Sequence, residues 1–389
     1  MAGVVVKPRA RFYHGHEWVY ASELKKVFGN PEPGDVVSLK DFKDRPLGSG
    51  IYNPQSQIVV RRFSRQRQEL DADFFRRRVR RALEYRESLG IDLAAARLVW
   101  SESDGLPGVI VDRYGDYLVL QTTTLAMDLR KDIIAEALRD VLNPRGIVER
   151  NDNTVRQAEG LELVKGTLWG ETPAAFDVKI DGVVYRVDLL EGQKTGLYLD
   201  QLENHQRVAQ LAEGKKVLDV FSHQGGFALA CKRAGAEQVT AIEISEAANE
   251  AARGNGERNG LEIEWVTANA FDYLRELEKG EKRFDMIVLD PASFTRNKGG
   301  VAGAMRGYKE IHLRAMKLLE KGGHLMTFSC SHHIDHKMFA DIVSSAAVDA
   351  RATLRRVEHY TQRKDHPIIA TLPETEYLRG FAYQSMGGW

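Results

Sequence analysis

The residues with the clearest chemical potential lie at the ends of apolar runs in the second half of the chain. Cys330, in "TFSCSHHI", is one of two cysteines among 389 residues. The run "FDMIVLD" ends in Asp290, and "QVTAIEI" carries Glu243. A thiol can act as a nucleophile, bind a metal or fill a small buried space. A carboxylate can accept ribose hydroxyls or stabilise a developing charge. The arrangement of these side chains therefore decides which chemistry is available.

The elements that must position these residues follow a regular alternation from about residue 200 onward. Five apolar runs, each followed by a helical pattern, are predicted as strands: "KVLDVF", "QVTAIEI", "IEWVTA", "FDMIVLD" and "HLMTFSC". Alternating strands and helices predict an α/β fold with a doubly wound parallel sheet. Ligands of such sheets bind beyond the carboxyl ends of the strands. The residues at those ends are therefore the candidate site.

The strand ends favour a nucleotide-like cofactor. The first strand leads into "FSHQGG", where Gly225 and Gly226 allow a close approach of backbone to ligand. Glu243 could accept two ribose hydroxyls, and Asn269, after the third strand, could pair with an adenine edge. The GxGxxG fingerprint and the Walker A pattern are both absent, which disfavours NAD and ATP. An acid on the second strand, Asn on the third and Asp-Pro on the fourth favour S-adenosylmethionine.

Cys330 has three candidate roles on these grounds. A metal site in "SHHIDH" is disfavoured because no second cysteine is nearby, so no metal is expected. Most free cysteines are small buried hydrophobes. Its place at a strand end, with Asp290 expected on the neighbouring strand, favours a nucleophile. Cys231 lies inside "GGFALACKRAG", a helix expected to pack on the sheet, and is predicted to be structural.

The first 190 residues predict two further domains. Residues 1–72 contain "VVVKP", "DVVSLKDF", "GSGIYN" and "QIVVRRF" between turn-rich stretches, which predicts a small β-barrel-like domain. A helix is predicted over residues 72–90. Residues 73–190 mix helical and strand patterns and predict a central α+β domain, and the α/β domain would occupy residues 191–389.

Charge is unevenly distributed along the chain. The formal net charge is zero, yet residues 1–90 carry 18 Lys and Arg against 11 Asp and Glu. The surplus is densest in "RRFSRQR" and "FFRRRVRR", beside Phe63, Phe74 and Phe75. Such clusters suit a phosphate-contacting surface, and a solvated helix face is the alternative. No apolar stretch of about 18 residues and no secretory signal are present. We therefore expect a cytoplasmic protein without a disulfide framework.

Seven segments, in the same order, carry a closer resemblance: "ESDGLPGVIVDRYG", "GQKTGLYLDQ", "FSHQGGFAL", "DPASFTRNKGG", "RGYKEI", "TFSCS" and "DHPIIATLPETEYLRGF". Together they resemble the bacterial 23S rRNA cytosine-C5 methyltransferase family (RlmI-like) over nearly the whole chain. The resemblance implies an N-terminal PUA domain that contacts RNA, a central domain and a C-terminal class I methyltransferase domain. It also implies S-adenosylmethionine as cofactor and suggests a homodimer.

The resemblance further implies roles for individual residues. The segment "GQKTGLYLDQ" would form a flap beside the cofactor, with Lys194, Thr195, Tyr198 and Gln201 as binding residues. The strand ends would contribute the remaining cofactor contacts: Phe221, Ser222, Gly225, Gly226, Glu243, Ile244, Asn269, Ala270 and Asp290. Tyr308, Asp365 and His366 would shape the substrate pocket.

The catalytic residues implied are Cys330 and Asp290. Cytosine C5 is a poor nucleophile, so a thiolate added at C6 would make C5 enamine-like. Asp290 near N3 would stabilise the adduct. A free thiol has a pKa of about 8.5, and the helix expected to start near Ser331–Asp335 could lower it. The target base must leave its stack to reach such a pocket. The base that removes the C5 proton is not assigned.

Three positions depart from the family pattern. Ala292 replaces the second proline of Asp-Pro-Pro, Asn269 replaces an aspartate, and Glu243 stands where aspartate is common. A related guanine-N7 branch carries a similar Asp-Pro-x-x-Phe stretch. Two alternatives therefore stay open: an rRNA methyltransferase acting on another base or position, and a non-catalytic RNA-binding protein of ribosome assembly.

Overall fold

The computed structural model describes residues 2–8, 10–192, 194–295 and 297–388. The chain divides into two compact units. The N-terminal unit comprises Met1–Val178, Val187–Leu199 and Lys364–Thr375. The C-terminal unit comprises Lys179–Arg186, Asp200–Arg363 and Glu376–Trp389. The predicted domain boundaries at residues 72 and 190 stay predictions.

The N-terminal unit begins with a six-stranded sheet whose inner face is lined by small β-branched side chains. Val4, Val19, Val37 and Val60 are completely buried there. The strand order is β2-β6-β5-β4-β1-β3. The strands are β1 (Gly3–Val6), β2 (Trp18–Tyr20), β3 (Leu24–Phe28), β4 (Val36–Lys40), β5 (Pro46–Tyr52) and β6 (Ile58–Ser64). The four predicted strands are confirmed, and β2 and β3 were not predicted.

Helix α1 (Ala72–Ser88) follows, as predicted for residues 72–90. It begins where the Asp71 carboxylate accepts a hydrogen bond from Phe74 N at 2.7 Å, which satisfies a free amide of the first turn. Phe74, Phe75 and Val79 share one buried face. That face packs with residues of β5, β6 and the following sheet in a single apolar cluster.

A five-stranded sheet completes the N-terminal unit, with strand order β11-β10-β9-β8-β7. Its elements are β7 (Ala95–Trp100), β8 (Val109–Tyr114), β9 (Tyr117–Thr122), α2 (Leu125–Asp128), α3 (Lys131–Leu142), β10 (Gly146–Asn151) and β11 (Val164–Gly170). The strand pair around the Tyr-Gly-Asp turn, the helix in "RKDIIAEALRDVL" and the last two strands were predicted, and β7 was not. After β11, β12 (Phe176–Ile180) and β13 (Val183–Val187) form a two-stranded sheet.

Buried charges in this unit are matched by opposite charges. Arg97 binds Asp112 through two hydrogen bonds, each of 2.8 Å. Arg86, which is fully buried, donates to Asp104 Oδ1 at 2.6 Å. The segment Lys364–Thr375 joins the same network, because Asp365 accepts hydrogen bonds from Arg97 N at 3.0 Å and from Arg86 Nη2 at 2.8 Å. Such pairing offsets the cost of burying each charge.

The C-terminal unit contains a seven-stranded sheet with strand order β16-β15-β14-β17-β18-β20-β19. Its elements are α4 (Leu202–Ala209), β14 (Lys216–Val220), α5 (Gly226–Arg233), β15 (Gln238–Glu243), α6 (Glu246–Arg258), β16 (Glu264–Thr267), α7 (Ala270–Lys279), β17 (Phe284–Leu289), α8 (Val301–Leu318), β18 (Leu319–Ser329), α9 (His336–Asp349), β19 (Ala352–Thr361) and β20 (Arg379–Gly388).

The predicted doubly wound parallel sheet is confirmed for β14 to β18, and β20 lies antiparallel between β18 and β19. One boundary was predicted wrongly. The sequence pattern "YKEIHLRAMKLLEKG" predicts a helix that continues to Gly322, whereas β18 begins at Leu319. The helix ends at Leu318, because Leu319 is already extended (φ −87°, ψ 131°). Gly322, with φ +83°, lies inside β18 where the pairing with β17 shifts register between Leu319 and His324. Within the described ranges, no helix is long and apolar enough to cross a membrane.

Candidate active site

The carboxyl ends of four parallel strands meet at one edge of the C-terminal sheet. Val220 pairs with Ile242 on one side and with Leu289 on the other, and Leu289 pairs with Thr327. Because β17 and β18 are neighbours, the residues that follow them, Asp290 and Cys330, extend from adjacent strand ends. The neighbour relation on which the predicted nucleophile depended is therefore present.

The turn after β14 has unusual backbone geometry. Phe221 and His223 have φ values of +68° and +49°, which non-glycine residues rarely adopt. Hydrogen bonds from Ser222 N to Ile242 O (2.9 Å) and from Gly225 N to Ser222 O (2.8 Å) hold the turn. The buried Ser222 Oγ has no hydrogen-bond partner among the described residues. Strained backbone and an unpaired buried hydroxyl are typical of a ligand site.

Gly225 and Gly226 are required by packing within the protein. A Cβ on Gly225 would lie 2.7 Å from the Trp265 ring, and one on Gly226 would lie 2.3 Å from the His205 ring. The close approach predicted for these glycines is therefore made, in part, to protein side chains. Burial lowers the pKa of His205 to about 4, so this ring is neutral near pH 7.

Three carboxyl groups interact at this edge. Asp219, in β14, is completely buried, and its Oδ2 accepts a hydrogen bond from Ala228 N at 3.0 Å. Burial, with added repulsion from Asp290 and Glu243, raises the pKa of Asp219 to about 8. Asp219 Oδ1 is buried and has no partner in the described part of the chain. Because these carboxyl groups repel one another, a positively charged ligand beside them would relieve the repulsion.

Asp219 was not among the predicted site residues, although the sequence carries a signal for it. A charged residue inside the buried strand "KVLDV" requires either a partner or a function.

Glu243 accepts backbone hydrogen bonds on both of its oxygens. His223 N donates to Oε2 at 2.9 Å, and Ser245 N donates to Oε1 at 2.9 Å. Each carboxylate oxygen has a second lone pair, so the fixed carboxylate can still accept hydroxyl donors. The next residue, Ile244, is 65% exposed, which is unusual for isoleucine and leaves an apolar surface beside the carboxylate.

Asn269 and Ala270 stand at the start of α7. Asn269 Oδ1 accepts hydrogen bonds from Phe271 N (2.9 Å) and Asp272 N (3.4 Å), so it caps the helix. Asn269 is exposed, and Ala270 is buried. The cap explains asparagine at this position, and the amide nitrogen is left to donate to a ligand.

Asp290 is positioned by a predicted cofactor residue. Gln201 Nε2 donates to Asp290 Oδ2 at 3.0 Å. Asn204 Nδ2 in turn donates to Gln201 Oε1 at 2.7 Å and to Thr361 O at 2.9 Å. Gln201 and Asn204 are buried, so this chain of hydrogen bonds fixes the orientation of the carboxylate.

The other predicted flap residues belong to the N-terminal unit. Thr195 is buried, donates to Asp112 Oδ2 at 2.6 Å and lies 3.1 Å from Tyr114 OH. Lys194 Nζ lies 3.9 Å from the centre of the Tyr198 ring. Two residues of the quoted motifs, Gln193 and Arg296, lie outside the described residues.

Cys330 is half-buried at the end of β18, in a turn fixed by hydroxyl groups. Tyr308 OH lies 3.0 Å from Ser329 Oγ and 3.1 Å from Ser331 Oγ. Ser293, from the "DPAS" motif, lies 2.9 Å from Ser331 Oγ. The pKa of the Tyr308 hydroxyl is raised by burial and further by Cys330 and Asp290. The motif that carries Asp290 is therefore joined directly to the turn that carries Cys330.

Arg379 is a site residue that the sequence did not predict. Its buried guanidinium donates from Nη1 to Ser331 O at 3.0 Å and to Ile334 O at 2.7 Å, which holds the turn after Cys330. Burial lowers the pKa of Arg379, and the negative forms of Glu376, Asp335 and Cys330 act to raise it. "YLRGF" was quoted for the resemblance, but only the antiparallel pairing of β20 with β18 reveals the role of its arginine.

The second cysteine has a different environment. Cys231 is completely buried inside α5, and burial raises the pKa of its thiol. It packs in an apolar cluster, in agreement with its predicted structural role. Across residues 2–8, 10–192, 194–295 and 297–388, no group of three or more His, Cys, Asp or Glu side chains is arranged to hold a metal ion.

The strand order and the acid-lined edge define an S-adenosylmethionine-dependent methyltransferase. The profile of that family, described as S-adenosylmethionine-dependent methyltransferase, matches residues 161–372, and that of a PUA-like domain matches residues 4–65.

Curated relatives narrow the class. Ribosomal RNA large subunit methyltransferase I of Photobacterium profundum is 39% identical over 94% of each chain. The protein of the same name from Aeromonas hydrophila is 40% identical over 95% of each chain. The chain belongs to the ribosomal RNA large subunit methyltransferase I family.

A solved structure supports the fold. A methyltransferase candidate from Streptococcus mutans has a TM-score of 0.84 at 21% identity and covers 99% of this chain and 100% of its own. Another structure, of a methyltransferase candidate complexed with SAH, has a TM-score of 0.85 at 22% identity and covers 99% of this chain and 100% of its own.

The residues at the sheet edge fit S-adenosylmethionine. This cofactor carries a positive sulfonium, and a positive charge near Asp219, Glu243 and Asp290 would relieve the repulsion among these carboxyl groups. The buried Ser222 hydroxyl, which has no hydrogen-bond partner among the described residues, is available to bind a polar group of the cofactor.

Proposed function

We propose that this protein methylates C5 of a cytosine in 23S rRNA and that Cys330 forms a covalent adduct with the base. The observation that carries the proposal is the junction between two neighbouring strand ends. The Ser293–Ser331 contact of 2.9 Å joins the loop of Asp290 to the turn of Cys330. Large-subunit ribosomal RNA as the substrate follows from the names of the curated relatives and from the PUA-like domain.

The proposed reaction uses Cys330 as nucleophile and leaving group. The Cys330 sulfur bonds to C6 of cytosine, and the electrons of the C5–C6 double bond make C5 nucleophilic. Asp290, oriented by Gln201, would enter the step protonated, donate its proton to N3 as the adduct forms and take it back when the thiolate leaves. After C5 gains its methyl group, a base removes the C5 proton. The C5–C6 double bond then forms again and expels the Cys330 thiolate.

Arg379 provides the positive charge that this reaction needs beside the thiol. A thiolate is favoured by a neighbouring cation. Arg379 holds the carbonyls of Ser331 and Ile334, so its charge stays close to the Cys330 turn. The helix N-terminus predicted to lower the thiol pKa begins with Asp335, whose carboxylate accepts from Met338 N at 2.8 Å. A carboxylate at that end offsets the helix dipole, so Arg379 is the stronger source of stabilisation.

The proposed cofactor contacts follow the strand ends. S-adenosylmethionine supplies an electrophilic methyl group when bound. Glu243 would bind the ribose hydroxyls, Asn269 would donate its amide to the adenine, and Ser222 would use its unpaired hydroxyl. Phe221, Ile244 and Ala270 would enclose the cofactor between these polar contacts. Roles in cofactor binding for Lys194, Thr195 and Tyr198 stay predictions, as does the homodimer.

The experiment that tests the proposal traps the adduct. Transcribed 23S rRNA containing 5-fluorocytosine is incubated with S-adenosylmethionine and the wild type, Cys330→Ala or Cys231→Ala. Fluorine at C5 prevents proton removal, so the thiol adduct should survive denaturation. We expect a protein–RNA band with the wild type and Cys231→Ala and none with Cys330→Ala.

Two results would overturn the proposal. A band in Cys330→Ala would assign the adduct to another residue. Methyl transfer to unmodified rRNA without any trapped band would indicate a different base or position. Nucleoside analysis of the product identifies that position.

A further inference from the structure

A groove in the N-terminal unit has the shape and charge of an anion-binding site. Its volume is about 780 Å³, which lies within the range of ligand-binding clefts. It is built by the end of β6, one face of α1, the turn after β7 and the returning segment at residues 367–369. The groove includes Arg62, Arg65, Arg78, Arg81 and Tyr85.

The carboxylates of this groove are already paired with arginines. Glu17 pairs with both Arg62 and Arg65, so one carboxylate faces two guanidiniums and one positive charge is left over; Arg65 is the exposed member of the pair. Glu102 accepts from Arg61 Nη1 at 2.7 Å and from Trp18 Nε1 at 2.8 Å.

The third carboxylate is also occupied. Asp104 accepts from the buried Arg86 at 2.6 Å and from Trp100 N at 2.6 Å. None of the three acids forms an ion pair with Arg78 or Arg81, and Asp104 acts on Arg78 only through space.

Arg78 and Arg81 form no ion pair with any described residue. Arg78 donates to the Phe63 carbonyl at 3.0 Å, and Gly105 leaves the space that its guanidinium occupies. Burial, followed by repulsion from Arg81 and Arg77, lowers the pKa of Arg78, and the attraction of Asp104 opposes this shift without cancelling it. Arg76, on another face of the same helix, differs, because it is paired with Glu136 at 2.7 Å and Asp140 at 2.6 Å. Like charges held together in a groove without ion-paired carboxylates favour a bound polyanion.

An exposed aromatic side chain adds a second contact type. Tyr85 lines the groove and is 38% exposed. Tyrosine on a basic groove allows a nucleic-acid base to stack while arginines contact phosphates, which is how single strands are bound. A regular RNA duplex keeps its bases stacked inside and does not offer a base to Tyr85.

We propose that this groove binds a single-stranded segment of the RNA substrate, with phosphates on Arg65, Arg78 and Arg81 and a base on Tyr85. The proposal deepens the proposed function and rests on RNA being the substrate. It does not depend on the position that is methylated.

The test measures binding of the full chain to a fluorescent single-stranded RNA of about 10 nucleotides and to a fully paired RNA hairpin. The variants are Arg65→Gln with Arg81→Gln, Tyr85→Ala, and Arg80→Gln as the matched control. Arg80 is an exposed arginine of the same helix that does not line the groove. Calorimetry with S-adenosylmethionine verifies that each variant is folded.

We expect the double variant to bind the single strand less tightly and to lower the slope of log affinity against log salt by about 1.4, or roughly 0.7 for each phosphate contact. Tyr85→Ala should weaken binding about tenfold without changing the slope. Arg80→Gln should resemble the wild type. Equal losses in the control and the double variant, or an unchanged slope in the double variant, would overturn the proposal. Preference for the hairpin with no effect of Tyr85→Ala would also overturn it, in favour of a duplex surface.

This test and the trapping test can fail separately. Groove-dependent RNA binding without a Cys330 adduct would contradict only the proposed chemistry. A Cys330 adduct that forms normally in the groove variants, with unchanged RNA affinity, would contradict only the groove.

Discussion

Two regions of the molecule treat buried charge in opposite ways. In the N-terminal unit, Arg97 and Arg86 are each matched by an aspartate within hydrogen-bonding distance. At the edge of the C-terminal sheet, Asp219 is buried near two other carboxyl groups and has an oxygen without a partner. Paired charges hold one arrangement of the fold, whereas unpaired groups retain the capacity to bind a ligand. The contrast locates the functional edge without reference to any relative.

The largest expected change in stability comes from removing the carboxylate partner of a buried arginine. Asp112→Ala leaves the Arg97 guanidinium without its carboxylate and should destabilise the protein by about 3–5 kcal/mol. Chemical denaturation of the full chain measures the change. Asp73→Ala is the matched control, because its ion pair with Arg76 is exposed and should contribute less than about 1 kcal/mol. Similar losses in both variants would remove the distinction between buried and exposed pairs.

At the edge of the C-terminal sheet, replacing a buried carboxyl group is expected to stabilise the protein and not to destabilise it. The pKa of Asp219 is raised to about 8 in the folded protein, against about 3.9 in an unfolded chain. The folded state therefore holds a proton that the unfolded state has lost, and stability declines as pH rises from about 4 to 8. Asp219→Asn should reduce that decline and be the more stable protein at pH 8 by at least about 1 kcal/mol.

Thermal unfolding between pH 5 and 8.5 checks the Asp219 prediction. The same variant should bind S-adenosylmethionine less tightly in calorimetry, because one of the three carboxyl groups can no longer become negative. A variant that keeps the full pH dependence of the wild type would show that Asp219 is not the group responsible.

The smallest expected effect concerns Arg379. Removing its charge in Arg379→Gln should shift the pH midpoint of Cys330 alkylation upward by about one unit. Iodoacetamide labelling followed by peptide mass spectrometry measures Cys330 separately from Cys231. Arg379→Lys retains the charge and should restore most of the shift. An identical midpoint in the wild type and Arg379→Gln would limit Arg379 to holding the turn.

Much of the fold could be predicted from the sequence because it follows from periodicity. The five strand–helix units and α1 each have a clear apolar pattern. The missed strands lack that pattern for identifiable reasons. β2 has only three residues, and β3, "LKKVF", is exposed at its centre. β19, "ATLRRVEHYT", is an edge strand rich in charge, so only its pairing with β20 identifies it.

The candidate site was predictable in its residue types but not in its connections. Position at a strand end was sufficient to select Asp290, Glu243 and Cys330. The hydrogen bond from Gln201 to Asp290 joins residues 89 positions apart. The bond from Arg379 to Ser331 joins residues 48 positions apart. Neither contact follows from local sequence, because each depends on how distant strands are ordered in the sheet.

The segment Lys364–Thr375 belongs to the N-terminal unit but is translated long after the rest of that unit. Most of the N-terminal unit leaves the ribosome early, and domains generally fold as they emerge. Arg97 and Arg86 nevertheless donate hydrogen bonds to Asp365. Asp365 is translated after nearly all of the C-terminal unit. The N-terminal unit therefore completes its buried polar network only after most of the C-terminal unit has been translated.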